Sequence, residues 1–203
     1  MNGVAACAAL IGFYRRAPAL AALGATPQQG EGPFYPVNLP LDSDNDLVRV
    51  SGVAASAQGT VTHVLGRILD RLGRPISGAR VEIWQCDAKG RYHHPGDRRG
   101  VSPDEAFQGF GATVTDGQGA YRFRTIRPVP YPRRTPHIHF AVLAPGYERF
   151  ITQMYVAGEP DNARDRPLNS VRDRNIRARL IVALDPAPGI EDGALAGTFD
   201  IVL

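Results

Sequence analysis

From residue 61 onward the chain is a series of short apolar runs separated by turns rich in Gly, Pro and Asp. Val61–Leu69 alternates loosely between apolar and polar positions. Over Ala79–Cys86, Ala79, Val81 and Ile83 alternate with Arg80, Glu82 and Trp84. A period of two marks a strand with its faces in different surroundings. Residues 112–115, 121–125 and 150–156 continue the series, and two closing strands are expected over 178–184 and 197–203. Asp87-Ala88-Lys89-Gly90-Arg91-Tyr92 and Asp116-Gly117-Gln118-Gly119-Ala120-Tyr121 repeat one corner, Asp-x-x-Gly-x-Tyr, and residues 70–75 form another turn. The pattern predicts an all-β fold: a β-sandwich of about eight mostly antiparallel strands with long loops.

The most apolar run, His137-Ile138-His139-Phe140-Ala141-Val142-Leu143, carries two histidines. Strand alternation points His137 and His139 one way, and Ile138 and Phe140 the other. Two imidazoles on a buried strand are costly unless their lone pairs are used. Either they are hydrogen-bonded core histidines or they bind a metal ion.

The flanking segments read differently. Residues 26–36 hold three prolines and two glycines, which forbid a helix or central strand, and form an ordered arm anchored by Phe34 and Tyr35. Residues 41–59 and the charged stretch 157–176 read as surface loops, because opposite charges sit side by side in the latter. Residues 1–26 are set apart as an export signal or a disordered leader: Arg15-Arg16 lies between two apolar stretches, the second short and broken by Pro18. A cytoplasmic location is the first expectation and an exported one the second. Residues 27–203 are expected to form one domain.

Composition narrows the function. The chain has 203 residues, enough for one sizeable core, and is 43% hydrophobic and 21% charged. A net charge of +3 without a basic, aromatic-interleaved cluster argues against nucleic acid as a partner. No run is long enough to span a membrane. Cys7 and Cys86 make neither a disulfide framework nor a zinc pattern.

If His137 and His139 bind metal, further ligands are needed. Cysteine is excluded by number, and His-Glu-x-x-His is absent. Tyr92, following a turn, and Tyr131, held between Pro130 and Pro132, stand out. Ionising a phenol at neutral pH takes a shift of about three units, roughly 4 kcal/mol. A trivalent ion could supply that twice; a divalent ion would struggle. Two tyrosinates and two neutral imidazoles suit Fe(III), with room for a further ligand.

These residues meet a known family. Val-Glu-Ile-Trp-Gln (81–85) followed by Gly-Arg-Tyr-His-His (90–94) resembles the intradiol ring-cleavage dioxygenases of the protocatechuate and catechol type. So do Thr-Asp-x-x-Gly-x-Tyr-x-Phe-Arg-Thr-Ile (115–126), Pro-x-Pro-Tyr-Pro (128–132), Arg-x-Pro-His-Ile-His-Phe (134–140), Ile-Thr-Gln-Met-Tyr (151–155) and the closing Phe-Asp-Ile-Val-Leu. The resemblance implies one non-heme Fe(III) per chain bound by Tyr92, Tyr131, His137 and His139. It also implies a small catecholic substrate and O2, with a cis,cis-muconate-type product. Tyr131 would be both ligand and base, Arg134 would stabilise negative charge on the ring, and Gln153 would lie near the oxygen site. A homo-oligomer is compatible with the family. One departure is clear: only five residues separate Tyr131 from His137, where the best-known members carry a longer insertion. That short link would open one side of the pocket, and the chain looks like the compact, single-domain members.

Two other functions compete. Gly-x-Pro-Ile-x-Gly-Ala-x-Val (73–81) also marks non-catalytic binding sandwiches, which lack the Tyr, Tyr, His-x-His set. A zinc hydrolase using His137 and His139 lacks an evident general-base carboxylate. Trp84 and His63 are expected to be structural, as is Tyr121; His93 and His94 are not expected to be ligands.

Overall fold

A computed structural model describes residues 22–203; Cys7 and Arg15-Arg16 lie outside the described residues. Ten strands form two five-stranded sheets. In the first, β1 (Val61–Leu69) pairs antiparallel with β4 (Ala120–Ile126) along one edge. Its other edge takes β9 (Leu195–Thr198) and then β10 (Ile201–Val202), both parallel, and β8 (Asp185–Pro186) extends β9. The second sheet runs β3 (Phe110–Val114), β2 (Arg80–Trp84), β5 (His137–Leu143), β6 (Phe150–Val156), β7 (Ile181–Val182).

The expected sandwich is present, with ten strands instead of eight and three parallel pairs, β1–β9, β1–β10 and β6–β7. The expected strand over 178–184 shrinks to Ile181–Val182 because Ala178 ends a helix. The last strand is split in two, so that its halves pair with successive parts of β1.

The sheets enclose the larger apolar core. Val64, Ile68 and Phe123 from the first meet Val81, Ile83, Ile138, Phe140 and Met154 from the second. Each such side chain, fully buried, contributes about 1.5–3 kcal/mol relative to exposure. Leu47 and Val48 also enter this core, so residues 41–59 are irregular but not wholly superficial. The stretch 157–176 departs further from expectation. It holds a 3-10 turn (Pro160–Ala163) and the helix α1 (Arg166–Ser170), and α2 (Arg174–Ala178) follows at its end. Asp165 and Asp173 cap the two helices, and Asp165 is buried.

The Asp-x-x-Gly-x-Tyr corners are one hydrogen-bonded device. Asp87 Oδ1 accepts from the amides of Lys89 and Arg91, and Asp116 Oδ1 accepts from those of Gln118 and Ala120. Residues 70–75 repeat it a third time, with Asp70 accepting from Leu72 and Arg74 and with Pro75 where the others have Tyr. The glycines, Gly73, Gly90 and Gly119, have φ of 77°, 74° and 69°, the left-handed region that L side chains avoid.

Candidate metal centre

A second, smaller cluster lies on the outer face of the second sheet: Trp84, Cys86, Tyr92, Phe110, Ala141 and Ile151, with Phe34, Tyr35 and Tyr131 packed against it. Strand register assembles its polar members. His139 pairs with Trp84 on one side and Gln153 on the other, and His137 pairs with Tyr155. Paired residues share a face, so two histidines, Trp84, Gln153 and Tyr155 project together while Ile138 and Phe140 enter the inter-sheet core.

The arm expected over 26–36 straps this face. Gln29 N donates to Ile151 O (2.9 Å), Thr152 Oγ1 to Pro27 O (2.8 Å) and Gln153 Nε2 to Gly30 O (3.0 Å). Phe34 packs on Tyr92 with ring centroids 4.7 Å apart. Gly32 has φ 75°, and a Cβ there would stand 3.1 Å from His139 Cε1, so only glycine lets the arm approach so closely.

The histidines are buried and neutral. Burial and the nearby Arg134 charge push His137 down to about 3, and burial pushes His139 well below its ordinary value. His137 Nδ1 lies 2.6 Å from Thr135 O, which fixes the proton on Nδ1 and leaves a lone pair on Nε2. That Nε2 is 3.2 Å from Nε2 of His139. The two rings meet edge to face, with centroids 4.9 Å apart, while His139 stacks on Trp84 at 4.8 Å and 10°. His139 Nδ1 is buried and unpartnered, so whichever tautomer His139 adopts, one of its ring nitrogens lacks proper use.

The phenols complete the set. Tyr92 is buried and its hydroxyl has no hydrogen-bond partner. Burial, then the neighbouring Tyr131 oxygen, push its pKa well above 10. No hydrogen bond of acceptable geometry reaches the Tyr92 hydroxyl. Tyr131 is half-buried, with its ring centroid 5.5 Å from that of Tyr92 and 5.4 Å from that of His137. Asp97 fixes the Tyr92 backbone by accepting from its amide at 2.9 Å. Burial pushes Asp97 up, but hydrogen bonds from Arg99, Tyr92 and Arg91 outweigh it and hold the carboxyl well below the usual range.

An orphaned phenol, an orphaned imidazole nitrogen and two facing Nε2 atoms in one buried cluster are the condition a cation would relieve. The 3.2 Å gap between Nε2 atoms suits two imidazoles sharing one ion with bonds of about 2.1 Å. His137 also has the carbonyl partner on its far nitrogen that metal-ligating histidines commonly have. No group of three or more His, Cys, Asp or Glu suited to a metal occurs among the described residues, so a hydrolase-type zinc set is not formed. The donor set that fits is two phenols and two imidazoles, which matches a hard, highly charged ion.

Arg134 stands at the edge of this set. Its Nε donates to Asp165 Oδ2 at 2.8 Å and its Nη2 to Gln153 Oε1 at 2.6 Å, while Nη1 lies 3.4 Å from Tyr131 Oη. Arg133 is exposed and outside the network. Gln153 therefore belongs to the support of Arg134, with its amide nitrogen tied to the arm.

Four contributors escaped sequence reasoning. Asp165 lies in the stretch expected to be a surface loop, yet its side chain is wholly buried against Arg134. Tyr155 donates to Gln29 Oε1 at 2.6 Å and closes the network. Trp84 carries the His139 ring, where a structural role was expected. Gly32 admits the arm. Alternation could have flagged Tyr155, two residues from Gln153; nothing local marks Asp165. His93 and His94 lie outside the cluster: His93 is exposed, and His94 Nδ1 accepts from the Gly96 amide.

Comparison with known proteins adds an independent finding. A family model described as Dioxygenase (Dioxygenase_C) matches residues 30–203. The protocatechuate 3,4-dioxygenase beta chain of Burkholderia cepacia is 38% identical over 168 residues, 79% of this chain and 71% of that protein. A catechol 1,2-dioxygenase of Acinetobacter baylyi is 35% identical over 161 residues, 69% of this chain and 50% of that protein. The chain thus spans about half the length of the curated catechol and hydroxyquinol relatives it matches. Among solved structures, the dioxygenase domain of a dioxygenase carbohydrate-binding protein fusion from Streptomyces sp. SirexAA-E superposes with a TM-score of 0.68. That domain is 31% identical, and the match covers 89% of this chain and 98% of that one.

Proposed function

The chain belongs to the intradiol ring-cleavage dioxygenase family, and from that premise we propose that it opens a catechol-type ring between its two hydroxyl-bearing carbons. Both atoms of O2 enter the product, a cis,cis-muconate-type dicarboxylate. The observation that carries this reading is the buried, unpartnered Tyr92 hydroxyl, gathered with Tyr131, His137 and His139 in one cluster. These four residues would hold one non-heme Fe(III). When bound, Fe(III) would ionise the phenols and draw electron density from both oxygens of a chelated catechol, making the ring reactive toward O2.

The protein groups divide the remaining work. His137 and His139 stay neutral because burial disfavours their protonation, so their lone pairs remain available. Tyr131 is the less buried phenol and borders a cleft, so its Oη, once ionised, would accept a proton from an incoming substrate hydroxyl. Arg134 Nη1, 3.4 Å from that oxygen, offers a fixed positive charge where negative charge develops on the ring. Asp165 and Gln153 hold the guanidinium in place, so it need not reorganise during reaction. Trp84, Phe34 and Tyr35 keep water from the inner side.

The visible spectrum tests this reading. Tyrosinate-to-Fe(III) charge transfer should colour the purified protein wine-red, and adding a catechol should shift the band. Tyr92→Phe and Tyr131→Phe should each alter or abolish it. A colourless protein, or a spectrum unchanged in both variants, would overturn the proposal.

A further inference from the structure

Outside the ligand cluster, Tyr131, Arg134 and Thr135 border a cleft of about 760 Å³, with Arg133, Arg164 and Arg166 around it. A cleft of several hundred Å³ suits a drug-sized molecule, and a bare catechol ring would leave most of it empty. All three arginines are exposed, and none pairs with an acid among the described residues. Asp161 is the one exposed acid in the lining, because Asp165 is buried against Arg134. Three guanidiniums against one carboxylate leave the mouth positive, which favours anionic ligands.

Arg133 gives the cleft its most telling feature. Tyr131-Pro132-Arg133-Arg134 is a tight turn closed by Arg134 N donating to Tyr131 O at 2.8 Å. Proline at its second position and positive φ at its third match a type II turn, where Gly or Asn is usual. Arg133 occupies that third position with φ 66°, the one non-glycine positive φ among the described residues. Strained residues of this kind cluster at ligand clamps, and here the strain holds a guanidinium at the cleft rim. This turn begins the five-residue link from Tyr131 to His137 and borders the cleft.

We propose that the cleft receives a catechol bearing an extended substituent that ends in a carboxylate, gripped by Arg133, Arg164 and Arg166. The planar guanidinium fork matches a carboxylate in a way a lysine would not. The inference rests on the dioxygenase reading and names the substrate class of that site.

In the iron-loaded enzyme, kcat/KM for 3-(3,4-dihydroxyphenyl)propanoate should exceed that for its amide by about tenfold, the sum expected of a few rim ion pairs. The ratio should fall as salt rises, and should approach one in the Arg164→Gln/Arg166→Gln variant. Arg133→Gly, which keeps the turn and removes the guanidinium, should lower the ratio while raising Tm. Equal use of acid and amide, or a preference that survives in the double variant, would overturn the proposal. If no catechol is turned over, the dioxygenase reading fails, and calorimetric binding of 3-phenylpropanoate against 3-phenylpropanamide still decides the cleft. A preference for the acid that is lost in the double variant supports it; equal binding refutes it.

Discussion

Tyr92 and Tyr121 end identical corners, yet the fold gives them opposite surroundings. Both follow an Asp-x-x-Gly turn with the same two amide-to-carboxylate hydrogen bonds, both are buried, and burial pushes both phenols up. Tyr121 lies in the inter-sheet core and donates its hydroxyl to the Phe199 carbonyl. Tyr92 lies on the outer face, and its hydroxyl reaches nothing. The histidines divide the same way. His63 is buried with both ring nitrogens engaged, Nε2 to Glu191 at 2.9 Å and Nδ1 to Arg122 at 3.0 Å. His137 and His139 have only each other and one carbonyl. The difference separates polar groups that the fold satisfies from polar groups that it leaves unsatisfied.

The sharpest test of that contrast is Tyr92→Phe. Turnover should fall to background while the iron-free protein gains about 1 kcal/mol, since an unpaired buried hydroxyl has been removed. Urea unfolding of the iron-free protein measures this, and a loss of stability would mean the hydroxyl has a partner. Asp165→Asn should cost about 10–100-fold in kcat by loosening Arg134, as loss of outer support commonly does. Asparagine still caps α1, so an unchanged far-UV spectrum with lowered kcat would mark a positioning role. Tyr121→Phe should reverse the Tyr92 result: about 1 kcal/mol lost, because the Phe199 carbonyl loses its donor, with colour and turnover retained.

The smallest effect concerns the partner of His63. The Arg124 guanidinium holds Glu191 down at about 2, below its ordinary 4.5. A depressed carboxyl stabilises the fold fully above 4.5, and the contribution disappears as pH falls toward 2. Tm measured across that window should fall less steeply in Glu191→Gln than in the parent. An identical acid limb would show that the ion pair contributes nothing.

Much of the site was legible because its chemistry is unusual. A His-x-His strand and a tyrosine clamped between prolines are few enough to notice, and alternation already placed both histidines on one face. Asp165 was not legible. It sits among seven other charged residues, and only packing shows that it is buried while its neighbours Arg164 and Arg166 stay exposed. Trp84 reads from the sequence as a strand residue, but its contact with His139 depends on strand register. The corners at residues 87 and 116 are alike in sequence; the His-His run after Tyr92 sets that tyrosine apart, but which phenol lacks a partner depends on packing.

By itself the sequence determined the sandwich and the faces of its strands, and it singled out Tyr92, Tyr131, His137 and His139 as candidates. Period-two patterning and turn residues act over a few positions and can be read there. Only the tertiary structure decided which sheet face carries the cluster, which buried phenol lacks a partner and which aspartate holds Arg134. Those outcomes depend on hydrogen-bond supply across strands and on the arm that crosses them, and no local stretch of sequence contains either.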